Sequence, residues 1–162
     1  MSIRIDAATP ADVPVILELI RELAEFERLL DEVTATEGQL HEHLFGPRPK
    51  AEVAMARIDG EVAGFALYFH NFSTFLTKPG IYLEDLYVRQ KFRGQGCGER
   101  LLQHLASTAL ERGCGRLEWS VLDWNQRAIH FYKELGAVPM NEWTIYRVAG
   151  DALARLGRGT SP

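Results

Sequence analysis

The sequence predicts an α/β fold of the mixed α+β kind: a central mixed, mostly antiparallel twisted sheet flanked by helices on both faces. Three observations predict it. Two stretches alternating with period two, 52–58 and 61–69, are joined by Asp59-Gly60, a strong two-residue hairpin signal. Helical spacing fills the region before them, with start signals at Thr9 and Thr36. The second half then runs strand, glycine-rich loop, helix, strand, helix, strand.

Taken in order, Ile3-Arg4-Ile5 reads as a short first strand. Thr9 suits a cap, Pro10 the first helical position, and Asp12 the positive helix end. Val13, Ile16, Leu17, Ile20 and Leu23 follow at helical spacing. A second helix starts at Thr36, where Gln39 completes a capping box, and Gly46-Pro47-Arg48-Pro49 ends it. After the hairpin, a loop around Thr77-Lys78-Pro79-Gly80 leads to a strand over 81–88. A helix from Glu99 carries Leu101, Leu102, Leu105, Ala106 and Ala109 on one face and stops at Gly113-Cys114-Gly115. A strand over 116–122, a helix over 125–135 ending at Gly136, and a last strand over 143–148 complete the expectation. Residues 1–156 are expected to form a single domain, and 157–162 a disordered tail.

The bulk numbers exclude several classes. A chain of 162 residues, 46% hydrophobic and 25% charged, can bury its own core. No run approaches a membrane span, and the N-terminus lacks the layout of a signal peptide, so the expected location is the cytoplasm. A net charge of −4 without basic blocks argues against nucleic acid. Cys97 and Cys114 make neither a disulfide framework nor a metal-ligand spacing, and the five histidines form no metal pattern. No metal is expected.

Arg93-Gly94-Gln95-Gly96-Cys97-Gly98 lies between a strand and a helix. Glycines leave backbone N–H groups unshielded, and N–H groups at a helix start make a concave anion site. A pyrophosphate suits it; a tight turn with close helix–sheet contact is the plainer alternative. Arg93 at the rim either adds charge or fixes the loop. The Walker pattern fails, because no Gly-Lys-Ser/Thr follows, and the glycine spacing departs from the dinucleotide fingerprint. Glu118, about twenty residues on, stands near where that fingerprint places a ribose-binding acid, but inside the next strand. Cys97 reads as a space-filling residue.

A second constellation follows. Asn125, Ala128, Tyr132 and Gly136 form one stripe along a helix. Asn125 either caps the helix or bonds a ligand amide, and Ala128 leaves room for an extended ligand. Tyr132 places a phenol on the same face; a tyrosine packed on the sheet is the alternative.

Strand, Arg93-x-x-Gly96-x-Gly98, helix, strand, Asn125 and a helix with Tyr132 together resemble the GNAT N-acetyltransferase superfamily. Tyr82-Leu83-Glu84-Asp85-Leu86-Tyr87-Val88, Asp123-Trp124-Asn125 through Phe131-Tyr132-Lys133, and Glu22-Leu23-Ala24-Glu25-Phe26-Glu27 are similar to the diamine (spermidine/spermine) and thialysine acetyltransferase family. The resemblance implies an enzyme transferring acetyl from acetyl-CoA directly to a primary amine of a small cationic substrate. A protein N-acetyltransferase and a non-catalytic CoA-binding domain of the same fold are the alternatives. It further implies that Leu86, Tyr87 and Val88 bind the cofactor arm, the Leu86 amide facing the thioester oxygen. Arg93, Gly94, Gln95, Gly96, Cys97, Gly98 and Glu99 would surround the pyrophosphate, and Asn125, Gln126, Arg127 and Ala128 the pantetheine. Tyr132 would protonate the departing thiolate. Glu84 would contact the amine and accept its proton through water. Phe26, Glu27, Glu118, Trp119, Ser120 and Glu142 would line the substrate side, and Glu27 can equally be a solvated helix charge. Phe26 stands where the polyamine enzymes carry a tyrosine. Strict alternation puts Glu84 and Leu86 on one side of their strand and Asp85 on the other. The family also implies a homodimer.

Overall fold

Five strands build one sheet in the order β1-β2-β3-β4-β5: β1 (Ile3–Ala7), β2 (Glu52–Ile58), β3 (Glu61–Ser73), β4 (Lys78–Val88) and β5 (Leu117–Trp119). The computed structural model describes residues 2–160. The first four strands pair antiparallel in sequence order, and β5 joins β4 in parallel. The parallel pair requires a crossover, supplied by α3 (Cys97–Glu111). Asp59 and Gly60 both take positive φ, 49° and 85°, as the β2–β3 hairpin requires.

The chain divides into two compact units, Met1–Ser120 and Val121–Pro162. In the first, Asp12 accepts from the Thr9 N–H at 2.9 Å and meets Arg57 at 2.7 Å before α1 (Val13–Phe26). Thr36 caps α2 (Glu37–Phe45): its hydroxyl accepts from the Gln39 N–H at 3.2 Å, and the Gln39 side chain accepts from the Thr36 N–H at 3.0 Å. Ile16, Leu19 and Leu44 from these helices pack on Val53, Met55, Phe65 and Tyr87 of the sheet. From α3, Leu101, Leu105 and Cys97 are also buried. The second unit contains α4 (Gln126–Glu134) and α5 (Gly150–Gly157).

Four expectations change. β4 begins at Lys78, so Lys78-Pro79-Gly80 is strand and not loop. Its pairing with β5 starts only at Ile81, which leaves Pro79 on an edge where a missing N–H is tolerated. β5 keeps three residues of the expected seven. The segment 143–148, expected as the last strand, forms none, because a strand exists only as part of a ladder and among the described residues none pairs with it. In its place the chain goes on to α5, whose Asp151 sits in the first turn and whose Leu153 and Leu156 are three apart. α5 also takes in Gly157, the first residue of the expected tail, and Ser161 and Pro162 lie outside the described residues.

Candidate active site

Among the described residues, the second half of β4 has a sheet neighbour on one side only. β5 pairs with Ile81, Tyr82 and Leu83 and then ends at Trp119. From Glu84 to Val88, β4 pairs with β3 alone, so the backbone of its other edge is free of the ladder there. That edge includes Leu86, Tyr87 and Val88, the segment expected to hold a cofactor arm.

An irregularity falls at the same point. Tyr68 lies opposite Leu83 and Leu67 opposite Asp85, so Glu84 is an extra residue with no partner across the ladder. This bulge resets the alternation. Asp85 stands opposite Leu67, and Tyr87 opposite Phe65; Leu67, Phe65 and Tyr87 all belong to the core beneath α1 and α2. Asp85 therefore lies on the α1–α2 face, and the side of Glu84 cannot be counted from Leu86 by twos.

Electrostatics agree with that placement. Asp85 is partly buried, and burial first, then the charges of Glu84 and Glu27, push its carboxyl up to about 6. Burial also raises Glu27, just beyond the end of α1. Glu84 is exposed. The charges of Glu84 and Glu27 thus both act on Asp85, where β4 parts from β5. The two-strand register places Asp85 opposite Leu67, and the charge of Glu27 acts on it there.

The glycine loop follows β4 after a short 3-10 turn over Gln90–Phe92. Gly94 and Gly96 hold φ of 78° and 87°, and a Cβ at either position would meet nothing within 4 Å. Left-handed backbone facing open space is a cradle that side chains would fill. Gly96 caps α3, so the helix begins at Cys97, two residues before the expected Glu99. The first α-helical bond runs from the Arg100 N–H to the Gly96 carbonyl at 3.0 Å. The N–H groups of Cys97, Gly98 and Glu99 precede it and point out of the helix start. These groups fit a pyrophosphate. Glu99 turns along the helix, accepting from Gln103 at 3.3 Å, and the Gln95 side chain donates to the Lys91 carbonyl at 3.3 Å. Cys97 is buried, which raises its thiol, as suits a space-filling residue.

Arg93 turns inward. Its Nε donates to the Val88 carbonyl at 2.9 Å, and its guanidinium lies 5.0 Å from the ring of Phe26 and 5.5 Å from that of Tyr87. Tyr87 also reaches Glu22 of α1, at 3.4 Å, and burial followed by Glu22 raises its phenol. Arg89 ties the same stretch to α1 through Glu22, at 2.9 Å, and Glu18.

On β5, Glu118 lies level with Tyr82. Its carboxylate accepts from Asn71 at 3.2 Å and meets Arg116 at 3.1 Å. Ser120 shares a 2.8 Å hydrogen bond with the Tyr82 hydroxyl, and Trp119 is level with Leu83. Within the second unit, the Asn125 side chain accepts from the Ala128 N–H at 3.2 Å and so caps α4. The Gln126 side chain donates to the Asp123 carbonyl at 3.0 Å. Arg127, Ala128 and Tyr132 all lie on α4, and the Tyr132 ring is 5.6 Å from that of Phe131. Glu142 lies in the irregular stretch between α4 and α5. Among the described residues, no group of three or more His, Cys, Asp or Glu could hold a metal ion, and no helix is long and apolar enough to cross a membrane.

A strand edge released from its sheet thus runs into a glycine-rich helix start whose outward N–H groups suit an anion. Comparison with known proteins gives the family. Residues 16–137 match the acetyltransferase (GNAT) family, and the chain belongs to it. It is 41% identical to the thialysine N-epsilon-acetyltransferase of Bos taurus, covering 95% of this chain and 96% of that one. It is 36% identical to the L-ornithine N5-acetyltransferase of Arabidopsis thaliana, covering 96% and 88%. An integron cassette protein from the mobile metagenome of V. cholerae superposes with a TM-score of 0.81 at 30% identity, covering 98% and 99%. The chain is therefore an acetyl-CoA-dependent N-acetyltransferase.

Proposed function

We propose that the chain acetylates a primary amine of a small cationic substrate of the diamine, ornithine or thialysine kind. What supports this most is the pair Glu84 and Asp85 at the bulge where β4 loses its neighbour, with the charge of Glu27 also acting on Asp85. An alkylammonium, with a pKa of about 10.4, is attracted there but must shed a proton before it can attack. Glu84, exposed and out of the ladder, takes that proton through a water. The Leu86 N–H stabilises the charge developing on the thioester oxygen as the C–N bond forms. Gly94 to Glu99 hold the pyrophosphate, and Asn125 to Ala128 border the pantetheine. When the C–S bond breaks, the Tyr132 hydroxyl protonates the leaving sulfur and recovers its own proton from solvent. Transfer is direct, with no acyl-enzyme. Phe26, Glu27, Glu118, Trp119, Ser120 and Glu142 shape the amine side.

This reading takes residues 1–156 as one acetyltransferase domain, working in the cytoplasm as a homodimer; sedimentation as a monomer would remove the dimer. The decisive experiment is a panel of free amines (diamines, polyamines, ornithine, lysine and thialysine) with acetyl-CoA, following release of the free thiol. Preferred turnover of a small dicationic or lysine-like amine is expected. Turnover of none of them, alongside acetylation of a protein amine, would refute the substrate class.

A further inference from the structure

We propose that Arg93 is a positioning residue that ties the glycine loop to the end of α1 through Phe26, so that Phe26 governs acetyl-CoA affinity as well as the amine. This rests on the acetyltransferase reading above and changes what two of its residues do. An arginine at the mouth of an anion cradle is expected to face the anion. Here its Nε–H is donated to the carbonyl of Val88, the last residue of β4. Its guanidinium lies 5.0 Å from the Phe26 ring and 5.5 Å from the Tyr87 ring. A guanidinium near two ring faces is held by their negative π-clouds and by dispersion, and its planar shape suits this better than an ammonium does.

Two partners of Arg93, Tyr87 and Val88, end β4, and the third, Phe26, ends α1. Val88 ends the strand whose free edge meets the cofactor arm. Tyr87 is anchored in the core and bonded to Glu22 of α1. Phe26 closes α1 and is 42% exposed, and Arg93 packs on its ring. Gly94 comes next after Arg93, and its open left-handed backbone has no side-chain contact of its own to hold it. Arg93 supplies that hold from the side. The chain of contacts Phe26–Arg93–Val88 therefore joins the residue before Glu27, whose charge acts on Asp85, to the residue before the anion cradle. A change at Phe26 should be felt at the pyrophosphate.

The test is a double-mutant cycle read by calorimetric titration with CoA, with amine kinetics alongside. Phe26→Leu keeps an apolar side chain but removes the π-face. Phe26→Tyr keeps the face. Arg93→Lys keeps charge but loses the planar group and Nε–H. We expect Phe26→Leu to weaken CoA binding about three- to tenfold. Phe26→Tyr should retain wild-type CoA affinity, whatever it does to the amine KM. Arg93→Lys should weaken CoA binding about tenfold or more, and adding Phe26→Leu to it should have no further effect on CoA. Unchanged CoA affinity in Phe26→Leu overturns the proposal. So do multiplicative effects of the two substitutions. Wild-type protein that binds CoA but fails these tests leaves the acetyltransferase reading standing, whereas wild-type protein that binds no CoA overturns both.

Discussion

Replacing Asp85 with Asn should stabilise the protein in neutral and alkaline solution, and the gain should fade as the pH falls. Asp85 faces the α1–α2 side of the sheet, opposite Leu67, with Glu27 and Glu84 as charged neighbours. Withdrawal from water is the larger cause and the two carboxylates the smaller; together they move its titration from 3.8 to about 6. At about 1.4 kcal/mol per tenfold change in proton affinity, that displacement corresponds to ~3 kcal/mol. Its sign follows from linkage. Between 3.8 and about 6 the folded chain holds a proton that the unfolded chain releases. Above that window the fold bears the full cost of a buried charge; below it the cost is gone. Asparagine is close in shape to the protonated acid and is never charged.

The measurement is a set of urea or thermal unfolding curves for both proteins from about pH 4 to about pH 8. Subtracting one protein from the other largely cancels the groups that titrate alike in both. Near pH 8 the variant should be more stable by up to ~3 kcal/mol, a rise of roughly 6–12 °C in Tm for a chain of this size. Near pH 4 the two should converge. A variant less stable than wild type at about pH 8, or a difference flat across the range, would refute the reasoning. The first result would mean that Asp85 is charged in the fold and held by a cation; the second, that its proton affinity is the same folded and unfolded.

Tyr132→Phe should lower turnover about a hundredfold while leaving CoA affinity within about twofold, as loss of a general acid requires; unchanged turnover under rate-limiting chemistry would remove that role. Glu84→Gln should lower kcat/KM for the amine about tenfold or more, with CoA titrations unaltered; an unmoved kcat/KM would dismiss Glu84 as proton acceptor. Gly96→Ala places a Cβ in open space but at φ of 87°, so its cost is backbone strain of about 1 kcal/mol together with weaker CoA binding. Equal stability and CoA affinity in that variant would mean that the loop does not need its left-handed turn.

The elements legible from sequence are those whose signals are local. Thr36 and Gln39 close their capping box within one turn of helix, and Asp59-Gly60 sets a hairpin within two residues. The glycine loop is equally local, and its positive φ values follow from glycine itself. Segment 143–148 is rich in the aromatic and β-branched residues that strands favour, yet forms no strand. Such residues suit an extended backbone, and a ladder also needs a neighbour. The same distinction explains the candidate site. Counting by twos along β4 separates Asp85 from the amine end, and the count is sound for an unbroken strand. One unmatched residue at Glu84 breaks it between Glu84 and Leu86, and that residue is unmatched only relative to β3. Register belongs to two strands at once, so no reading of β4 alone could place Asp85 opposite Leu67. Arg93 makes a parallel case: its side chain is committed by Phe26, distant in sequence, and by the Val88 carbonyl, a backbone group that every residue possesses. The chemistry-bearing residue types stand in the sequence, but which of them share a face is decided by one extra residue in a ladder.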